Sequence, residues 1–211
     1  HEVMGKPMIG HVVSRLEKLN VDNIVVVVGH QAEEIEAYLQ QRVSYALQQP
    51  QLGTGHAVMQ AVELKEFEGQ TLILYGDCPL VQSDTMSKLY EINQGKALTV
   101  LTAVLEDPAQ YGRIVRDDRG NVVKIVEYKD CDENQRLIKE INTGIYCVDN
   151  ALLFKHLGDI SNENAQREYY ITDLIEIFHH NGYDIQGLPV QDVNEVMGIN
   201  DRIDLAKASA W

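Results

Sequence analysis

The residue best placed to do chemistry is Asp77, in the string Tyr75-Gly76-Asp77-Cys78-Pro79-Leu80, where a carboxylate follows the apolar run Thr71 to Tyr75 beside a glycine that permits close backbone approach. A carboxylate at the mouth of a buried strand suits Mg²⁺, which takes oxygen donors in octahedral geometry and usually binds through one or two protein groups plus substrate phosphates. Aspartate and proline together also make ordinary turns, so a turn aspartate accounts for the same string. The second group is Gln51-Leu52-Gly53-Thr54-Gly55-His56, where two glycines lead into a helix and could leave backbone N–H groups free for an anion or a base edge. A plain loop explains these glycines as well.

Other candidates are weaker. His179 and His180 are adjacent on a predicted helix and diverge by about 100 degrees, and no H-x-x-x-H or HExxH pair occurs, so a zinc site is not expected. Ser14, Ser44, Ser83 and Ser87 lack a G-x-S-x-G elbow, which argues against a serine hydrolase. Tyr169 and Tyr170 read as core and rim residues, and Glu127, at the end of a predicted strand, reads as a solvated charge.

The elements that must position these residues follow from periodicity. Pro7, then Ile9, Val12, Val13 and Leu16, gives a helix with a proline suited to its first turn. Asn23 to Gly29 is β-branched without polar alternation, the pattern of a strand covered on both faces and hence a central parallel strand. A helix over 32–41, a strand over 43–48, a helix over 55–64 and the strand 71–75 continue an alternation. Ser83 can cap a helix that Gly95 ends. From 97 to 148 the rhythm changes to strands, at 97–105, 113–116, 122–128 and 138–148, with Asp117-Asp118-Arg119-Gly120 as a turn. Helices return over 151–157 and 170–180, a strand over 184–190 and a helix over 201–208. The alternation predicts a doubly wound, Rossmann-like α/β mixed sheet whose ligand crevice lies beyond the carboxyl ends of the strands, with a small β-rich insertion over about 97–148.

Composition bounds the partners. The chain has 211 residues, 45% hydrophobic and 24% charged, with a net charge of −14. That supports one ordinary domain, or at most two small ones, with a real core. So acidic a surface repels phosphate backbones, so nucleic acid is not expected as a partner. The longest apolar run, Ile24 to Val28, falls far short of the roughly 20 residues of a membrane-spanning helix, so no membrane partner is expected. Cys78, Cys131 and Cys147 are odd in number and show no CxxC spacing, which predicts reduced thiols and a cytoplasmic setting. The opening His1-Glu2-Val3-Met4 shows no secretory signal.

Seven strings, in order along essentially the whole chain, carry a resemblance: LQQPQLGTGHA (47–57), LYGDCPL (74–80), DPAQYGRIVR (107–116), IVEYKD (125–130), EINTGIY (140–146), NENAQREYYITDLI (162–175) and EVMGIND (195–201). The chain resembles the uridylyltransferase domain of the bacterial N-acetylglucosamine-1-phosphate uridylyltransferases, which are bifunctional enzymes. The resemblance implies a nucleotidyltransferase fold over 1–211, with the 97–148 insertion forming a flap around the sugar. It implies Mg²⁺-dependent transfer of UMP from UTP to N-acetylglucosamine-1-phosphate, giving UDP-N-acetylglucosamine and pyrophosphate. Gln48, Gly53 and Thr54 match positions that contact uracil and nucleotide, and Tyr75, Gly76 and Asp77 match the segment beside nucleotide and metal. Gly112, Glu127 and Asn142 match positions that hold the amino sugar. Glu168, Tyr170 and Thr172 match a string near the sugar pocket. Asn200 matches the second protein ligand of Mg²⁺ beside Asp77.

The sequence departs from the family pattern at both ends. The family begins with a strand and a glycine-rich basic loop of the type LAAGxGTRM, followed by a proline-lysine pair, and this sequence starts just beyond that pair. The loop supplies N–H groups and cations to the triphosphate, so the acidic chain is expected to be a poor catalyst without it. Family members continue into hexapeptide repeats that carry acetyltransferase activity and form the trimer, and the resemblance in residues 1–211 covers only the uridylyltransferase half. The alternatives are a related nucleotidyltransferase for another sugar or nucleotide, and a fragment that binds sugar nucleotide without turnover. A metal-dependent glycosyltransferase would need a D-x-D motif, which Asp77-Cys78-Pro79 does not supply.

Overall fold

A computed structural model describes residues 2–197. A short hairpin, β1 (Glu2–Val3) and β2 (Lys6–Pro7), leads into α1 (Met8–Glu17), with Pro7 at its N-cap and Val12, Val13 and Leu16 buried as their spacing requires. There follow β3 (Val25–Val28), α2 (Ala32–Leu39), β4 (Ser44–Leu47), α3 (Thr54–Met59), β5 (Gln70–Ile73), α4 (Ser83–Ile92) and β6 (Leu98–Val104). The hairpin β7 (Arg113–Arg116) and β8 (Val122–Val126), the short α5 (Glu133–Arg136), β9 (Glu140–Asp149), α6 (Asn150–His156), α7 (Asp173–His180) and β10 (Ile185–Pro189) complete the order.

The main sheet is built around β9. On one edge β6 runs antiparallel to it, and β10 adds parallel to β6. On the other edge β5 pairs with Tyr146 through Asp149, whereas β7, part of the β7–β8 hairpin, pairs at Ile141. Between these contacts the β6 register jumps from Val100↔Tyr146 to Thr102↔Asn142, so Thr143, Gly144 and Ile145 form a bulge that no neighbouring strand pairs. Bulges bend a strand and re-aim its side chains.

Alternation along β9 distributes the core to both faces of the sheet. Tyr146 and Val148 pack with Leu153 of α6 and Leu174, Ile175 and Phe178 of α7, while Ile145 and Cys147 pack with Val12 and Leu16 of α1 and Met86 and Leu89 of α4. Helices on both faces of a mixed sheet make the α/β architecture that the sequence predicts.

Some expectations change. The run 25–28 does not lie at the centre of the main sheet: β3 pairs with β4 in a separate two-stranded parallel sheet. Its other side faces an open cavity of about 1310 Å³, bounded across the gap by β5 and along its length by α1, so Val25 and Val27 are only half-buried. Of the β-rich stretch 97–148, β6 and β9 are integral to the main sheet, and β7, β8 and α5 extend from its edge. Ser83 is not the cap of α4 but its first residue, donating to the carbonyl of Arg15 (3.1 Å). The N-terminal groups of α4 are served from a distance by Glu195, whose carboxylate accepts from the Gln82 N–H (3.1 Å) and the Thr85 hydroxyl (2.6 Å). The helix expected from Tyr170 begins at Asp173, because the backbone just before it is committed to the loop at 52–55. The helix expected over 201–208 lies outside the described residues. All three cysteines are free and buried, and among the described residues no helix is long and apolar enough to cross a membrane.

Candidate active site

The glycine loop and the 168–172 segment clasp each other through main-chain hydrogen bonds. Tyr169 donates to Leu52 O (2.8 Å), Gly55 donates to Tyr169 O (2.7 Å), and Ile171 N–H donates to the Thr54 hydroxyl (3.0 Å). Gly53 takes φ +111°, and a Cβ there would sit 2.6 Å from Tyr169 O and 2.9 Å from Glu168 Cβ. Only glycine fits so close to that backbone. Gln48, buried just beyond β4, turns its amide into the same loop, donating to Gly53 O (2.9 Å) with His56 Nδ1 3.0 Å away. The two glycines therefore do more than make a plain loop.

Beyond β5 the chain delivers Tyr75, Gly76 and Asp77 to the junction of two cavities. Tyr75 and Asp77 line both the large cavity, together with Gln48, Gly53, Thr54, Gly76 and Glu168, and a smaller one of about 220 Å³ with Gly112, Glu127 and Asn142. Ten of the positions singled out above thus converge on one region at the carboxyl end of β5. Tyr170 and Thr172 line neither cavity. Thr172 supports the site from beneath, its hydroxyl donating to the Glu127 carboxylate (3.1 Å), and Tyr170 is buried beside it. Asn200 lies outside the described residues.

Glu127 is not the solvated charge its position suggested. Burial raises its pKa above the usual carboxylate range, and the Thr172 hydrogen bond only partly offsets this. Its Oε2 lies 3.5 Å from where a Gly112 Cβ would be, so the absence of a side chain at 112 leaves room for the carboxylate. Gly112 O in turn accepts the Asn142 backbone N–H (2.9 Å). The Asn142 side chain is fixed at both ends, its Oδ1 accepting from Gly144 N–H (3.0 Å) and its Nδ2 donating to the Tyr146 hydroxyl (2.7 Å). Asp77 accepts a long hydrogen bond from the Cys78 thiol (3.6 Å), and burial followed by the Asp77 charge pushes that thiol up to about 12. Cys78 is therefore no nucleophile near neutral pH.

Several contributors carried no sequence signal of their own. Arg113 is buried, and its guanidinium donates to the carbonyls of Pro108 (3.3 Å), Ala109 (2.9 Å) and Tyr111, folding the loop that presents Gly112. Gly144, at φ +80°, leaves the seat for the Tyr75 ring, whose Cε2 would lie 2.2 Å from an added Cβ. Both residues sit inside strings that carry the resemblance, but nothing in residue type or spacing marked them. His179 and His180 are exposed at the end of α7 and belong to no site.

For a metal, the described residues contain no cluster of three or more His, Cys, Asp or Glu side chains. One carboxylate at a cavity junction does fit Mg²⁺, which completes its shell with water and substrate phosphate oxygens. It does not fit a structural zinc site, which needs four side chains.

The chain matches the family model described as nucleotidyl transferase over residues 2–193. It is 50% identical over 214 aligned positions to the bifunctional protein GlmU of Brevibacillus brevis, covering 100% of this chain and 46% of that protein. It is also 50% identical over 211 positions to the bifunctional protein GlmU of a Geobacillus species, covering 99% of this chain and 46% of that protein. The chain thus spans about half the length of the curated relatives it matches. Among solved structures, CMP:2-keto-3-deoxy-manno-octonic acid synthetase complexed with CTP superposes with TM-score 0.71 at 15% identity, covering 100% of this chain and 89% of that one. HddC from Yersinia pseudotuberculosis complexed with GMP-PN gives 0.69 at 18% identity, with coverage of 99% and 87%. At such identities these two structures speak for the fold.

Proposed function

The chain belongs to the nucleotidyl transferase family, and on that premise we propose that it transfers UMP from UTP to N-acetylglucosamine-1-phosphate, yielding UDP-N-acetylglucosamine and pyrophosphate. An oxygen of the sugar phosphate attacks the α-phosphorus of UTP. The bond from that phosphorus to the bridging oxygen breaks, and pyrophosphate leaves with the bonding electrons. The attacking phosphate loses its second proton with a pKa of about 6, so no side chain needs to act as a base at neutral pH. The rate then comes from in-line placement and stabilisation of charge.

In this reading Gln48, Gly53 and Thr54 hold the nucleoside end, with Tyr75 and Gly76 beside them, and Glu168 belongs with Tyr170 and Thr172 near the sugar pocket. Gly112, Glu127 and Asn142 hold the sugar, covered by the β7–β8 edge and supported by Tyr170 and Thr172. Asp77, with Asn200 as the proposed second ligand, would hold Mg²⁺, which supplies positive charge to the phosphates when bound. Three free thiols suit a cytoplasmic setting.

The observation that carries the proposal is the small cavity at the tip of β5, where the Glu127 carboxylate, the fixed Asn142 amide and the open face at Gly112 surround a space of about 220 Å³ beside Asp77. An acceptor and an oriented donor lining one such space suit the hydroxyl and acetamido groups of an amino sugar. The test is pyrophosphate release with UTP, CTP or dTTP paired with N-acetylglucosamine-1-phosphate or glucose-1-phosphate in the presence of Mg²⁺. UTP with the amino-sugar phosphate should be preferred, and Asp77→Asn should lower turnover at least ~100-fold while leaving the fold intact. Near-normal turnover in that variant would remove the Asp77 assignment, and preference for another pair would point to a related transferase.

A further inference from the structure

Beneath the cavity floor lies a residue that lines neither cavity yet touches the side chains of both. Tyr146 is 1% exposed, its ring in the core and its hydroxyl directed at Asn142 and Tyr75. The Asn142 carboxamide has one possible orientation, because its Oδ1 must face the Gly144 N–H, and its Nδ2 then donates to the Tyr146 oxygen at 2.7 Å. With that oxygen engaged as acceptor, the Tyr146 hydroxyl stands next to the buried Tyr75. Thr54, beside Tyr75, accepts from Ile171 N–H at 3.0 Å.

Gly144, Asn142 and Tyr146 thus form one hydrogen-bonded group under the small cavity, with Tyr75 and Thr54 next in line toward the glycine loop. The bulge at 143–145 makes it possible, since it brings Asn142 and Tyr146 of one strand within reach of each other, and Gly144 leaves space for the Tyr75 ring.

We propose that Tyr146 is a positioning residue that fixes the Asn142 carboxamide, so that the remaining Asn142 N–H is held ready for the ligand in the small cavity. The naming of that ligand as the amino sugar rests on the function proposed above, and the positioning role does not. A buried network in which every member is satisfied is the kind that rigidifies a site.

Tyr146→Phe removes the hydroxyl and keeps the ring. Calorimetry on the chain should show affinity for UDP-N-acetylglucosamine falling roughly tenfold, the scale of one broken buried hydrogen bond, with affinity for UMP changed less than about twofold. Asn142→Ala should give a comparable loss, and adding Tyr146→Phe to it should cost nothing more, because both act through one amide. Independently of ligand, the Asn142 side-chain amide protons, followed by NMR in the free protein, should exchange with solvent faster in Tyr146→Phe. If the unmodified chain binds no UDP-N-acetylglucosamine, the amino-sugar reading fails, and the amide exchange still decides the role of Tyr146. Equal losses for both ligands, a Tyr146→Phe effect that adds fully to Asn142→Ala, or unchanged Asn142 exchange would overturn the proposal.

Discussion

At Gly53 backbone conformation and close packing point the same way. Its φ of +111° is disfavoured for any side chain, and the space where a Cβ would go is filled by Tyr169 backbone. Gly53→Ala should destabilise the chain by roughly 1–3 kcal/mol in urea unfolding and open the clasp between residues 52–55 and 168–172, weakening uridine-nucleotide binding along with it. An unchanged midpoint would show that the clasp is not needed for folding. Asp173 makes a different case. Burial, then the neighbouring Glu176, raises its carboxyl to about 6 from an ordinary value of 3.8. A raised acid favours the folded state while protonated, so its contribution is full below pH 3.8 and is lost as pH rises through about 6. Asp173→Asn should accordingly raise the melting temperature by on the order of 2 °C at pH 8 and leave it unchanged or lower at pH 4. An equal shift at both pH values would remove the titration argument. Asp77 and the glycines of the loop drew notice by residue type and place, although a turn aspartate and a plain loop would read the same in the sequence. Arg113, Gly144 and Tyr146 drew none, since each acts through a contact made only when separate strands meet.

At the scale of elements, the bulge in β9 and the remote cap of α4 decide what the site can be. Regular pairing along β9 would place Asn142 and Tyr146 on the same edge four residues apart, about 13 Å along a strand, beyond hydrogen-bond reach. The bulge closes that gap to a 2.7 Å hydrogen bond. Periodicity predicted β9 because apolar alternation extends through the bulge, but it carries no sign of register, which depends on where β6 and β5 stop. Caps behave likewise. Ser83 is a sound local cap by type, yet Glu195, buried and more than a hundred positions away, serves the Gln82 N–H and Thr85 hydroxyl instead. Glu195→Ala leaves those half-buried donors without their carboxylate partner and should cost about 1 kcal/mol of stability in urea titration. A loss under about half a kcal/mol, the range of an ordinary surface substitution, would mean that water caps the helix equally well.

For the molecule as a whole, alternating strands and helices made the α/β architecture readable in the sequence. The partition into a main sheet and a separate β3–β4 pair was not, because a β-branched run such as 25–28 looks the same whether one edge or both are paired. The large cavity between β3 and β5 is the spatial consequence of that partition, and it meets the small one at Tyr75 and Asp77. If the two cavities form one site for a sugar nucleotide, binding must be felt on both sides of that junction at once. The most direct measurement is an NMR titration of the isotopically labelled chain with UDP-N-acetylglucosamine. The expected result is a single set of saturable shifts centred on the amides of Gly53, Thr54, Gly112, Glu127 and Asn142, with the C-terminal end of α7 unaffected. Saturable shifts confined elsewhere, or none at millimolar ligand, would contradict it.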